Sequence, residues 1–131
     1  MSATETAALG NGSAPTSRPL LEVRGLTVRF PAGHGEVQAV TDLSYELRRG
    51  QTLGIVGESG SGKSVSNLAI MGLLNRARTT ISGQVLLEGR DLLTLPPGQL
   101  RDVRGKDIAM VFQDPFACLH PMYRVGDQLA E

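Results

Sequence analysis

A single cysteine, Cys118, stands among 131 residues. It excludes an intrachain disulfide and any multi-cysteine zinc site, and it fits a reducing compartment. Net charge is missing as well. Thirteen basic and thirteen acidic residues cancel, so no overall field draws the chain to polyanions, and no nucleic-acid partner is expected. Long apolar runs are also absent. The stretch 68–74 falls far short of the roughly 18 apolar residues that a membrane-crossing helix needs, so any membrane role read from the sequence is peripheral. Residues 1–18 lack the basic start and apolar core of a secretory signal.

What is present is ordinary for a globular protein. The hydrophobic fraction is 40%, and the 16 glycines bring it to about half. The length suits one domain with one core. Residues 1–19 are mostly Ala, Ser, Thr, Gly and Pro, too poor in apolar surface to offset ordering entropy, and are expected to form a disordered tail. Residues 20–131 then hold the domain. Leu21-Glu22-Val23 and Leu26 to Phe30 alternate apolar and polar with Gly25 between them, the period of half-buried strands. After a turn-rich loop from Pro31 to Gly35, Val37 to Val40 and Leu43 to Leu47 continue the alternation. These segments predict antiparallel strands.

The pattern changes at Arg48-Arg49-Gly50-Gln51, a turn into the short apolar run Thr52-Leu53-Gly54-Ile55-Val56. That run suits a strand buried on both faces. Residues 63–74 place Val65, Leu68, Ala69, Gly72 and Leu73 on one helical face. Beyond them, residues 84–88 read as a strand and 97–103 as a short helix. Residues 108–112 read as another buried strand, and a helix begins near Asp127.

Between the strand 52–56 and the helix from 63 lies Gly57-Glu58-Ser59-Gly60-Ser61-Gly62-Lys63-Ser64. It fits G-x-x-x-x-G-K-[ST], the loop whose backbone N–H groups cradle phosphates. Gly57 leaves the strand in a tight turn, and Gly60 and Gly62 allow close backbone approach. The N–H groups from Gly60 to Ser64 open a helix whose dipole favours anions. In this pattern Lys63 reaches the β- and γ-phosphates and Ser64 presents its hydroxyl to Mg²⁺. A nucleoside triphosphate with Mg²⁺, read as MgATP, is the expected ligand, with residues 57–65, through Val65, as its binding segment. A plain glycine-rich turn would not need Lys63 and Ser64 directly after the last glycine.

The loop alone serves kinases, GTPases and many ATPases. Its surroundings narrow the class. Residues 53–64, then 83–93, then Val111-Phe112-Gln113-Asp114-Pro115 together resemble the ATP-binding subunit of ABC transporters, from about Leu21 to the end. Within that superfamily the segments 36–40, 57–64, 112–115 with Leu119 and Pro121, and 124–131 are most similar to the ATPases of oligopeptide, dipeptide and nickel importers. The resemblance implies an α/β fold, a P-loop NTPase domain of the ABC type in which an antiparallel β subdomain precedes the parallel core sheet. It implies that Gln113 forms the Q-loop, approaching Mg²⁺ and the attacking water, so that Lys63 and Gln113 carry catalytic roles and Ser64 and Gln113 metal contacts. Phe30 matches the aromatic that stacks on adenine, although tyrosine is commoner there and the loop 31–35 lengthens the spacing.

Further implications concern partners. Such subunits form head-to-tail dimers and bind transmembrane permease subunits through the region around and after Gln113. They serve an external substrate-binding protein indirectly, and sit peripherally on the cytoplasmic face of the membrane. An ABC ATPase of DNA repair or translation is the alternative class. The family's LSGGQ-type signature, the Asp–Glu pair ending an apolar strand and the later histidine have no counterpart in residues 1–131. The chain is therefore expected to be the N-terminal portion of such a domain and to hydrolyse ATP hardly at all by itself. His34 and His120 read as solvated, Cys118 as a packing choice, and Arg101, Arg104 and Lys106, interspersed with Asp102 and Asp107, as a solvated face.

Overall fold

Alternation along residues 21–30 yields a strand longer than either half predicts. In the computed structural model, which describes residues 6–9, 18–33, 35–113 and 120–130, β2 (Leu21–Ala32) runs unbroken past Gly25. It does so through register shifts between Val23 and Leu26 and between Leu26 and Val28, where Gly25 takes a φ of +57°. Such irregularities add twist without ending a strand. His34, Asp114, Pro115, Cys118, Leu119 and Glu131 lie outside the described residues, as does most of the expected tail.

β3 (Gly35–Leu47) folds back antiparallel on β2, from Ala32 opposite Gly35 to Leu21 opposite Leu47. On the other side of β2 lies β5 (Thr80–Leu87), also antiparallel, followed by the two-residue β6 (Arg90–Asp91). The sheet order is β3-β2-β5-β6. Its apolar face supplies Val23, Leu26, Val28, Val40 and Val85, all buried. α1 (Lys63–Ile70) packs on β2 and β3 and buries Ser66, Ala69 and Ile70. The buried Ser66 hydroxyl donates to Lys63 O at 2.8 Å, which removes the cost of an unpaired polar group. α2 (Pro97–Val103) starts on a proline, whose missing N–H costs nothing there, and adds Leu100 and Val103 to the same core.

Six differences from the sequence expectations stand out in the fold. Within the segment read as a disordered tail, Thr6–Leu9 forms β1, antiparallel to β4 (Thr52–Ile55) with Thr6 opposite Ile55. Such pairing runs through backbone groups and makes little demand on composition. β4 is not buried on both faces: it alternates exposed and half-buried, and Val56 beyond it is 70% exposed. Among the described residues its sheet partner is β1 alone.

Residues 108–112 are likewise not a buried strand. Apart from a parallel bridge between Arg104 and Ile108 they pair with no described strand, and Val111 is 96% exposed. α1 stops at Ile70 and not near residue 74, because Gly72 adopts φ +62° and ends it. Arg104 is half-buried, not part of a solvated face: its guanidinium donates to Met71 O at 2.7 Å and to Gly72 O at 2.5 Å. The last helix, α3 (Val125–Leu129), begins two residues before Asp127 and buries no side chain.

Candidate nucleotide-binding site

β4 ends at Ile55, and the chain turns out to the surface at Gly57, where Ser61 N–H donates to Glu58 O at 3.1 Å. Two glycines of the loop have no room for a side chain. A Cβ on Gly62 would lie 2.3 Å from Ala39 O, and one on Gly57 would lie 2.5 Å from Ser61 Oγ. Gly62 sits at φ +85°, a conformation that costs an L-residue about 1–2 kcal/mol. Gly60, at φ +80°, faces open space. The loop is thus pressed against the β3 backbone on one side and open on the other. Ala39 and Val40, which form that backing, carry no motif that announces the role; only the strand's position reveals it.

α1 then begins without any side-chain cap. Its N-cap is Gly62, and no acidic residue stands in its first turn. The first intrahelical bond is Ser66 N–H to Gly62 O at 2.8 Å. The N–H groups of Lys63, Ser64 and Val65 therefore have no intrahelical acceptor. Free N–H groups and a positive helix end together form an anion site. Nothing in the helix competes with an anion for them.

The Lys63 ammonium is held over the same loop. It donates to Gly57 O, to Glu58 O at 2.6 Å and to Ser61 Oγ at 2.9 Å. Its charge is thereby held on the loop that leads into α1, whose first N–H groups are free. Ser64 is exposed at the helix start, in position to offer its hydroxyl to a cation carried by the phosphates. Glu58 and Ser59 are exposed on the loop.

The two remaining candidates stand apart from this cluster. Gln113 is exposed at the end of the 108–113 segment, and among the described residues no hydrogen bond joins it to Lys63 or Ser64. Phe30 pairs with Val37 across the β2–β3 hairpin and packs, half-buried, against the hydrophobic core.

The loop and the uncapped helix lie within a known pattern that covers most of the chain: residues 40–130 match the family described as ABC transporter. The chain belongs to the ABC transporter family. Among curated relatives of this ABC protein, the oligopeptide transport ATP-binding protein OppD of Escherichia coli is 51% identical over 112 residues, which cover 86% of the chain and 33% of that protein. OppD of Haemophilus influenzae is 49% identical over 113 residues, or 86% of the chain and 35% of the relative. The dipeptide transport ATP-binding protein DppD of Lactococcus lactis is 46% identical over 112 residues, 86% of the chain and 32% of the relative. The chain thus spans about a third of the length of these relatives. The ABC family accounts for the α/β fold, its antiparallel sheet and the loop at the start of α1. No helix among the described residues is long and apolar enough to cross a membrane.

Proposed function

We propose that this chain holds the phosphates of MgATP and serves as the ATP-binding portion of a peptide importer. One observation carries the binding half of the reading: the Lys63 ammonium lies on an exposed loop that leads directly into an uncapped helix, whose first N–H groups have no intrahelical acceptor. The importer half rests on the oligopeptide and dipeptide transport relatives.

In this reading backbone N–H groups from Gly60 to Ser64 and the Lys63 ammonium orient the β- and γ-phosphates, and Ser64 donates an oxygen to the accompanying Mg²⁺. When bound, the cation would neutralise phosphate charge. Gln113 approaches the γ-phosphate side from its own segment, and Phe30 offers a ring face to adenine. The exposed apolar residues Val111 and Phe112, directly before Gln113, and Met122, Tyr123 and Val125, later in the sequence, suit contact with permease subunits at the cytoplasmic membrane surface. A second ATP-binding subunit would complete a head-to-tail dimer, and an external substrate-binding protein would supply the cargo.

The importer reading has a direct test. Lys63→Ala in the organism's own gene should stop growth on an oligopeptide that is the sole source of a required amino acid, while growth on the free amino acid continues. Equal growth on the peptide would remove this function.

The ligand roles separate in binding experiments. Ser64→Ala should reduce the gain in ATP affinity that Mg²⁺ confers by about tenfold, the value of one charge-assisted contact. Phe30→Ala should narrow the difference between ATP and GTP affinity. An unchanged Mg²⁺ dependence, or an unchanged nucleotide preference, returns the corresponding residue to a structural role.

A further inference from the structure

The C-terminal end of α1 is closed by a residue that is 33 positions away in sequence. Leu73 N–H donates to Leu68 O at 2.8 Å and Gly72 N–H to Ala69 O at 2.9 Å, the paired bonds of a Schellman ending. Those bonds satisfy two of the last carbonyls of the helix, and the Arg104 guanidinium takes two that follow. Its Nε donates to Met71 O at 2.7 Å and an Nη to Gly72 O at 2.5 Å. α1 carries no basic residue in its own last turn, so Arg104 supplies the positive charge that the negative helix end favours.

The fit is tight. A Cβ on Gly72 would lie 2.5 Å from Leu100 Cδ2 and 3.1 Å from the same Nη of Arg104. Only glycine lets α2 and the guanidinium come this close. The same residue also starts the route to Gln113: Arg104 forms the parallel bridge to Ile108, and Gly105 N–H donates to Ile108 O at 2.8 Å. The chain then runs without a helix from Ile108 to Gln113. One guanidinium therefore joins the end of the phosphate-binding helix to the root of the Gln113 segment.

From this geometry we infer that Arg104 is a positioning residue, which fixes where Gln113 stands relative to the phosphate-binding loop and passes displacement of α1 on nucleotide binding to that segment. The inference rests on the MgATP reading of the loop. A planar fork that donates to two carbonyls constrains direction as well as distance, and a lysine ammonium at the same place would be a single point contact.

The test follows backbone amide resonances of residues 1–131 during titration with MgATP, with thermal melting recorded for each variant. In the native chain, saturating MgATP should shift the amides of residues 60–65 and of residues 108–113. Arg104→Met keeps the apolar stem and removes the fork; it should keep the loop shifts and lose those at 108–113. Arg104→Lys should restore only a minor part of the lost response while melting close to the native chain. A full-sized response at 108–113 in either variant overturns the inference, as does a native chain whose loop shifts while 108–113 does not. Should Arg104→Met fail to fold, Arg104→Lys decides alone. Absence of any loop shift in the native chain would instead defeat the MgATP reading itself.

Discussion

Gly62→Ala should weaken MgATP binding by about 100-fold or more, from loss of two charge-assisted hydrogen bonds worth about 1.5–3 kcal/mol each, at about 1.4 kcal/mol per tenfold in Kd. The added methyl would stand 2.3 Å from Ala39 O and 3.2 Å from Val40 Cγ2. The carbonyl belongs to the one residue of β3 passed over at the register shift between Val28 and Arg29, and the paired Gln38 and Val40 on either side hold it in place. The loop must move instead, and with it the N–H groups of Lys63 and Ser64 that follow Gly62 directly. Gly60→Ala is the informative comparison. Gly60 has nearly the same φ, but nothing lies within 4 Å of its missing Cβ. It should carry backbone strain of about 1–2 kcal/mol without the collision, and retain measurable binding. Equal losses in the two variants, by calorimetric titration, would show that contact with β3 does not shape the site.

Gly83→Ala should lower stability strongly. Gly83 lies in β5 at φ +102°, opposite the irregular stretch of β2, and its Cβ would fall 2.5 Å from Gly25 O, 2.6 Å from Arg24 O and 2.7 Å from Gly25 C. All three atoms are backbone. Strain at this φ costs about 1–3 kcal/mol, and forcing a methyl into a packed place costs about 1–3 kcal/mol more. The sum rivals a buried Leu→Ala change, about 2–5 kcal/mol, and is large against a total stability of about 5–15 kcal/mol. At about 4 °C per kcal/mol, the melting temperature should fall by about 8 °C or more. The neighbouring Ser82→Ala, at an exposed position, should leave it nearly unchanged. A Gly83→Ala variant that melts with the native chain would mean that β5 does not cross β2 in this register.

The parts of the fold that were legible are those whose information is local. Residues 21–47 alternate, and alternation is the period of a strand with one face buried, so β2 and β3 follow from it directly. The candidate loop is legible because its residues are contiguous: each glycine, Lys63 and Ser64 lie within eight positions of one another. The helix from Lys63 was also visible, but its end was not. Periodicity counts Gly72 as a member of the apolar face, whereas its left-handed conformation and its contact with Leu100 terminate the helix.

What stayed hidden depends on partners distant in sequence. Apolar runs at 52–56 and 108–112 suit buried strands, but burial needs a second layer, and no property of the run itself provides one. β1 escaped notice for the opposite reason, since strand pairing through backbone groups leaves little trace in a segment of Ala and Thr. Arg104, surrounded by Asp102, Gly105, Lys106 and Asp107, has the composition of a solvated turn. Its two carbonyl partners belong to another helix, and only the folded chain brings them together. Of the candidate site residues, the sequence grouped Phe30 and Gln113 with the loop by resemblance, while in the structure each stands on a separate element.

Everything proposed for this chain requires that the loop from Gly57 to Ser64 receive the phosphates of a nucleoside triphosphate. Calorimetric titration of residues 1–131 with MgATP tests it most directly, alongside the same titration of Lys63→Ala. Saturable binding to one site is expected in the native chain, weakened by about tenfold or more when the ammonium is removed. A folded Lys63→Ala chain that binds MgATP with the native affinity would contradict it.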